Sequence, residues 1–267
     1  MTRGPTVGVT VLSALVSLLL GLGAVTPAQA ATTTTTAHGS HGSHGSRPSK
    51  ARPSKHANRT PPITKATITR GDAALVELSD LPSGWVAGTA AAAPTRLAPW
   101  TSAIAKCVGV PSSVASVKPV KLQSPEFTSS DHTLAVVDSV SVYPSAASAQ
   151  AAYAALANPK TPQCMNAITA PTLQSSMQAQ YTSGTIVGLP TFAALPGNPA
   201  ASHVTGFTMS IQIGVNGRGL TITSTQVDLV HGTLLHQLTF NGNGTTFPAQ
   251  LEVSVLGAAV RRGGSAS

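Results

Sequence analysis

Charged and aromatic residues are both scarce in this 267-residue chain, at 9% and 4% of the residues. A surface that binds nucleic acid needs basic side chains interleaved with aromatic ones, so this composition argues against nucleic acid as a partner. The sequence also lacks H-E-x-x-H, C-x-x-C, G-x-S-x-G, a Walker loop and the Rossmann glycine pattern. No motif therefore indicates a catalytic residue, a cofactor or a metal site, and we expect a non-enzymatic protein.

Acidic residues are missing from the first 71 residues, although the whole chain has a formal net charge of +8. Residues 31–70 contain seven lysines and arginines, whereas from Gly71 onward eight basic residues accompany eight acidic ones. The basic character therefore belongs to the N-terminal segments, and the sequence after them is neutral. This neutrality is a further argument against a nucleic-acid partner.

The one long apolar run extends from Val7 to Val25, after Arg3 and before Ala28-Gln29-Ala30. This order is typical of a secretory signal peptide over residues 1–30, cleaved after the small-residue sequence. The alternative is an uncleaved anchor, because the run approaches the roughly 18–20 residues of a membrane span. We expect a secreted or extracellular protein without a stable membrane span after cleavage. It would be associated with the cell wall if its tail binds there.

Residues 31–70 form a low-complexity tail with a Thr run, three His-Gly-Ser repeats and a basic Arg-Pro-Ser-Lys stretch. Almost no apolar residue is available to offset the entropy of ordering, so we expect this tail to be disordered. It could act as a spacer, or as a cation that adheres to an anionic cell-wall polymer or membrane surface. A third hypothesis is weak capture of a metal ion by His38, His41 and His44.

Only two cysteines are present, Cys107 and Cys164. In an exported chain an even pair indicates a disulfide, here closing a loop of just under 60 residues. Such a loop would stabilise the fold by roughly 4 kcal/mol in the chain-entropy model. The alternative is a reactive thiol, because Thr161 and Pro162 predict a helix start that places Cys164 in a first turn, where a thiolate is favoured.

The sequence after the tail is long enough for one core and contains no stretch that looks like a linker. We expect one globular domain over residues 71–262 and a disordered C-terminus over residues 263–267. Strict alternation of apolar residues predicts a strand that carries Phe207, Met209, Ile211, Ile213 and Val215. Asn216-Gly217 and His231-Gly232 then predict the two turns of a three-stranded meander.

Helix signals lie before and after these strands. Pro144 and Asn158-Pro159 bracket a helix, and a final helix is predicted over residues 248–261. Short hairpin connections with helices gathered around them favour the α+β class. We expect a twisted antiparallel β-sheet flanked by helices.

Four short segments together resemble a known family. They are the Leu81–Trp85 turn, the Cys107–Pro111 segment, the helix from Tyr143 that leads to Cys164, and the final meander with its helix. Here the chain resembles the secreted sensor-like proteins of actinobacteria, akin to the extracellular sensor domain of the kinase PknH and more distantly to PsbP-like folds. The resemblance implies a cleft that binds a small or lipidic extracytoplasmic ligand. This chain has one cysteine pair where the kinase sensor domain is expected to have two.

Asp138 and His236 are polar residues on otherwise apolar strand faces. Asp138 is in phase with Val136 and Val140, and His236 is in phase with Leu238. We expect both to be polar residues of the ligand cleft, although a histidine in such a position is more often a satisfied core residue.

The alternative function is a cell-envelope hydrolase with an unrecognised Ser/His/Asp site. The best local pairs for it are Asp228 with His231 and Asp131 with His132. A hydrolase predicts that Asp, His and Ser converge in one pocket, whereas a binding module predicts an apolar cleft without that convergence.

Overall fold

The computed structural model describes residues 62–89, 95–96, 102–180, 184–195, 204–215 and 218–266. These residues form an antiparallel β-sheet with helices on both faces, which confirms the predicted α+β class. The predicted signal peptide and most of the predicted tail, including the three histidines of its His-Gly-Ser repeats, lie outside the described residues.

The sheet is built on long central strands with short strands at its edges. The strands are β1 (Val86–Ala87), β2 (Thr95–Arg96), β3 (Val120–Gln123), β4 (Phe127–Thr128), β5 (Leu134–Val142), β6 (Gly184–Ile186), β7 (Thr191–Ala194), β8 (Val204–Val215), β9 (Arg218–His231) and β10 (Leu234–Asn243). Their order is β1-β4-β5-β10-β9-β8-β6, with β2 beside β3, β3 beside β5 and β7 beside β8.

Seven α-helices of the described residues accompany the sheet. They are α1 (Lys65–Ala73), α2 (Ser102–Val108), α3 (Ser112–Ala115), α4 (Ala146–Leu156), α5 (Thr161–Cys164), α6 (Ala170–Gln180) and α7 (Ala249–Ala266). A π-helical segment, Met165–Thr169, joins α5 to α6, and a short 3-10 helix spans Leu78–Asp80.

The predicted meander is formed by β8, β9 and β10. Val215 pairs with Arg218 across the first hairpin, whose turn residues lie outside the described residues. His231 pairs with Leu234 across the second, where Gly232 adopts a positive φ of 54°. A left-handed residue in a two-residue hairpin turn suits glycine, so the sequence signal and the structure agree.

One face of the sheet, which we call the terminal-helix face, is covered by α1 and α7. Its core contains Val136, Val140, Leu238 and Phe240, packed against apolar residues of the two helices. Arg262 of α7 fastens this layer to the 3-10 helix through ion pairs with Glu77 (2.9 Å) and Asp80 (2.7 Å).

The opposite face packs against the other helices. One apolar cluster joins α2, α5 and α6 to β7 and β8, and a smaller one joins α4 to the ends of β5 and β10. Cys107 of α2 and Cys164 of α5 form a disulfide with a Cα–Cα distance of 5.9 Å, which confirms the predicted pairing. The alternative of a free reactive thiol is therefore wrong.

The ordered helices extend beyond the predicted domain boundaries at both ends. Helix α1 begins at Lys65, before Gly71, because Thr64 and Thr67 form a capping box that holds its first turn. Helix α7 continues through Ala266, because its glycine-rich last turn packs against the sheet, where Gly263 is buried beside His236.

Candidate functional site

Asp138 and His236 are brought together on the terminal-helix face. Asp138 pairs with Leu238 and His236 with Val140 across β5 and β10, so the two side chains are diagonal neighbours. Both are completely or almost completely buried, and Nδ1 of His236 lies 3.3 Å from Oδ2 of Asp138. The phase of each residue in its strand, read from the sequence, therefore agrees with the structure.

The Asp138 carboxylate binds a backbone N–H group as well as the histidine. Its Oδ2 accepts the N–H of Val76 at 3.0 Å, just after α1. Its backbone N–H and C=O are bonded to Ser124, in the link between β3 and β4. These are the contacts of a buried structural pair, and a ligand-binding role for Asp138 and His236 stays a prediction.

The local acid–histidine pairs suggested for a hydrolase do not form. Asp228 and His231 lie on opposite faces of β9, and His231 lies beside Gly263 of α7. Asp131 accepts hydrogen bonds from Ser129 and Thr133 at an exposed turn, and these bonds lower its pKa. In the described part of the chain, Nε2 of His236 has no hydrogen-bond partner, so no serine completes a triad there.

A group of polar side chains occupies the centre of the opposite face. Its residues lie in three rows that run across neighbouring strands. The first row is Ser139 on β5, Gln237 on β10 and Asp228 on β9. The second is Thr239 on β10 and Gln226 on β9, and the third is Asn241 on β10 and Ser224 on β9. We call these seven residues the polar cluster. Gln237 is half-buried and the other six are buried, with at most 8% of the residue exposed. The sequence predicts an apolar cleft for a binding module, whereas the candidate site on this face is polar and buried.

Few of these buried groups are paired with one another. Oδ1 of Asp228 accepts the side-chain N–H groups of Gln226 (2.8 Å) and Gln237 (3.3 Å). Among the described residues, the atoms of the cluster without a hydrogen-bond partner are Oδ2 of Asp228, the hydroxyls of Ser139, Ser224 and Thr239, and both amide atoms of Asn241.

A buried polar group left unpaired destabilises a protein by about 1–3 kcal/mol. Native structures rarely concentrate several such groups, and they usually satisfy them with ordered water or a ligand. The polar cluster is therefore the strongest candidate site among the described residues.

Two charged groups set the electrostatics of this face. Burial raises the pKa of Asp228 to about 7, although hydrogen bonds from Gln226 and Gln237 and the charge of Lys121 act in the opposite direction. Burial lowers the pKa of Lys121 to about 8, and the charge of Asp228 opposes that shift. The charge of each group therefore affects the pKa of the other.

The charge of the same carboxylate acts on two tyrosines. Burial raises the pKa of Tyr143, and the negative charge of Asp228 adds to the effect. The pKa of Tyr153, on α4, is raised by the same two causes in the same order. The hydroxyl of Tyr143 has no hydrogen-bond partner within the described segments, so it extends the set of unpaired groups around Asp228.

An open pocket of about 480 Å³ lies at the start of α4. Its lining consists of Ala146, Ala147, Gln150, Val230, His231 and Gly232. With two polar side chains and no unpaired buried atom among these residues, it is a weaker candidate than the polar cluster.

The sequence contains a signal for the polar cluster, but an ambiguous one. Ser224, Gln226 and Asp228 alternate with residues of the terminal-helix face, as polar residues do on any strand with one solvated side. What distinguishes them is their burial, which depends on tertiary packing. Asp228 was a candidate only as the partner of His231.

The described residues offer neither a cluster of metal ligands nor a membrane-spanning helix. No three His, Cys, Asp or Glu side chains lie close enough there to hold a metal ion. No helix of this part of the chain is both long and apolar enough to cross a membrane.

Comparison with known proteins identifies a distant structural similarity. No protein-family model matches the chain, and no curated protein matches it. Among solved structures, it is similar to the extracellular domain of PknH from Mycobacterium tuberculosis, with 11% sequence identity and a TM-score of 0.40. The match covers 73% of this chain and 95% of that one.

Proposed function

We propose that the protein is a non-enzymatic, sensor-like binding module of the cell exterior that holds a small ligand on the polar cluster. The observation that carries this function is the set of buried, unpaired groups around Asp228. A structural core would replace them with apolar residues, because unpaired buried polar groups destabilise the fold. A binding site keeps them because the ligand completes their hydrogen bonds.

The extracellular location is supported by the disulfide between Cys107 and Cys164. Disulfides persist in oxidising compartments and are rare in the cytosol. Export would use residues 1–30 as a signal peptide, and residues 31 to about 64 would link the domain to the envelope as a basic tether. The seven basic residues of the 31–70 segment would also attract an anionic cell-wall polymer in a salt-sensitive way.

The first experiment is native mass spectrometry of the protein purified from the culture supernatant of the organism that makes it. We expect a chain that starts at Ala31 and has a mass two hydrogens below that of the reduced form. We also expect a non-covalent adduct that is lost on denaturation. A chain that retains residues 1–30 would contradict cleavage without affecting the binding function.

Two variants on β9 locate the ligand. Asp228→Asn changes a hydrogen-bond acceptor of the polar cluster, whereas Thr225→Ala changes a half-buried side chain on the terminal-helix face of the same strand. We expect the adduct to be lost in Asp228→Asn and kept in Thr225→Ala. An adduct that both variants keep would place the ligand elsewhere, and a chain that never carries an adduct would contradict the binding function.

A further inference from the structure

We propose that residues 165–180 form an edge cap, which keeps the outer edge of the sheet from pairing with the same edge of a second copy of this chain, and that the disulfide between Cys107 and Cys164 holds this cap in place. The edge cap consists of the π-helical segment and α6. Reduction of the disulfide would then release the edge for self-association. This device goes beyond the proposed binding function and does not depend on the polar cluster.

The outer edge of the sheet is formed by β6 and β7, which lie end to end along β8. Among the described residues, no strand pairs with either of them on the side away from β8. A free edge presents unpaired N–H and C=O groups to other chains, and proteins protect it with charged side chains, prolines or a covering segment. Pro190 separates the two strands, but no Asp, Glu, Lys or Arg occurs between Lys160 and Arg218. The main protection of this edge is therefore the segment that covers it.

Side-chain amides of the edge cap bind the backbone of this edge. Oδ1 of Asn166 accepts the N–H of Phe192 at 2.7 Å, and Nδ2 of Asn166 donates to the C=O of the same residue at 2.8 Å. Two residues that face each other in an antiparallel sheet exchange hydrogen bonds in this way. The carboxamide of Asn166 thus occupies the position of a residue in a neighbouring strand.

Two glutamines of α6 extend this pattern along β6 and the residues that follow it. Oε1 of Gln178 accepts the N–H of Ile186, and Nε2 of Gln174 donates to the C=O of Gly188, each at 3.0 Å. The two glutamines are four residues apart, so they lie on the same side of the helix. Three amide side chains of the edge cap therefore make hydrogen bonds that a further strand would otherwise make.

The edge cap is anchored by a covalent bond and by apolar packing. Cys164 directly precedes the π-helical segment, and its partner Cys107 lies on α2. Leu173 of the cap is buried in the cluster that joins α2, α5 and α6 to β7 and β8. Cys107 is exposed, so a reductant in solution can approach the disulfide from that side. A dithiol would break the S–S bond, leave two thiols in the protein and itself be oxidised to a disulfide, which removes the covalent anchor.

A second copy of the chain fits the released edge. An antiparallel edge is self-complementary, because two copies related by a two-fold axis present the same backbone groups to each other. The uncharged sequence around the edge offers no like charges that would repel the second copy. Val187 and Leu189, which are 55% and 53% exposed, would bury apolar surface in such a pair.

Sedimentation velocity of the full mature chain, with and without a dithiol, tests the edge cap. We expect the oxidised chain to be monomeric and the reduced chain to associate at concentrations at least about tenfold lower. Val187→Lys places a charge on the edge and should abolish association of the reduced chain. Val253→Lys is the matched control, because Val253 is 62% exposed on α7, on the terminal-helix face, and it should leave association unchanged.

A variant of the amides separates release of the edge from loss of folding. Asn166→Ala, Gln174→Ala and Gln178→Ala are combined while the disulfide is kept, and circular dichroism checks that the chain is folded. We expect this oxidised triple variant to self-associate, and Val187→Lys in the same chain to suppress the association. Gln150→Ala changes an exposed glutamine of α4 and should stay monomeric.

The outcomes test the two parts of the edge cap separately. If the reduced chain and the triple variant both stay monomeric, the edge cap is overturned. Association that Val187→Lys leaves intact would also overturn it, because the contact would then lie elsewhere. Association of the triple variant alone would support the amides and overturn the role of the disulfide, whereas association of the reduced chain alone would overturn the role of the amides. If reduction unfolds the chain, the oxidised triple variant still decides.

Discussion

Nδ1 of His236 lies 3.3 Å from Oδ2 of Asp138, and the same carboxylate oxygen accepts the N–H of Val76. One buried side chain on β5 thus fastens both a neighbouring strand and the segment that follows α1. Each of the two side chains has a partner within the protein through one polar atom, whereas Oδ1 of Asp138 and Nε2 of His236 have no hydrogen-bond partner among the described residues.

Replacing Asp138 tests this structural role. Asp138→Ala removes the acceptor for the Val76 N–H and leaves the buried His236 without its partner. We expect the free energy of unfolding to fall by about 2–4 kcal/mol, since each unpaired buried group costs about 1–3 kcal/mol. Urea denaturation followed by circular dichroism measures the loss.

Asp138→Asn is the matched control for this position. Its side-chain oxygen can still accept from Val76, so its loss of stability should be clearly smaller than that of Asp138→Ala. Equal losses for the two variants would show that the charge of the carboxylate, rather than its hydrogen bonds, holds the pair.

Asp228 should make stability fall as the pH rises. Its folded pKa of about 7 lies above the ordinary value of 3.8, so the folded chain binds this proton more tightly than the unfolded chain. The resulting stability is fully present below about pH 4 and is lost as the pH rises to about 7, with an upper bound of about 4 kcal/mol. Asp228→Asn cannot ionise, so its stability relative to the wild type should increase over this range.

The measurement is urea denaturation of both chains between pH 4 and pH 8. Asp131→Asn is a control that should change little over this range, because hydrogen bonds lower the pKa of Asp131 and its contribution is lost only as the pH falls below about 4. If the difference between wild type and Asp228→Asn did not change with pH, Asp228 would be no more costly to ionise in the folded chain than in the unfolded one.

The strand faces and the meander could be predicted because they follow local rules. Alternation placed Asp138 and His236 in phase with apolar residues, and Gly232 marked a turn that the structure confirms. The disulfide was predictable because the sequence offers one pairing of Cys107 with Cys164.

The polar cluster could not be predicted, because its defining property is burial by segments distant in sequence. Gln226 and Thr239 would be ordinary surface residues on a sheet with one solvated face, and here the residues are 8% and 0% exposed. The start of α1 at Lys65 was not predicted for a related reason. The basic composition up to Arg70 hides the capping box at Thr64 that begins α1.

Removing the disulfide should lower the melting temperature clearly. Cys107 and Cys164 are separated by 57 residues, and the chain-entropy model assigns about 4 kcal/mol to a loop of that length. Differential scanning calorimetry of Cys107→Ser measures the effect, and wild type treated with a reductant should melt like the variant. A melting curve that matches the oxidised wild type would contradict a stabilising disulfide.

Gly71 shows where close packing outweighs helix propensity. A Cβ at this position of α1 would lie 2.5 Å from Cγ2 of Val142 and 2.8 Å from Cδ1 of Leu122, both on the terminal-helix face. Alanine normally stabilises a helix interior by up to about 1 kcal/mol relative to glycine, whereas overpacking a core costs about 1–3 kcal/mol. We therefore expect Gly71→Ala to lower the free energy of unfolding by about 1–2 kcal/mol.

Gly257 in α7 is the matched control, because the nearest atom to its added Cβ is Nη1 of Arg261 at 3.4 Å, at the end of a flexible side chain. Gly257→Ala should raise the free energy of unfolding by up to about 1 kcal/mol. Opposite signs for the two substitutions in urea denaturation would show that α1 rests directly on β3 and β5. A gain in both would mean that α1 can move away from the sheet without loss of stability.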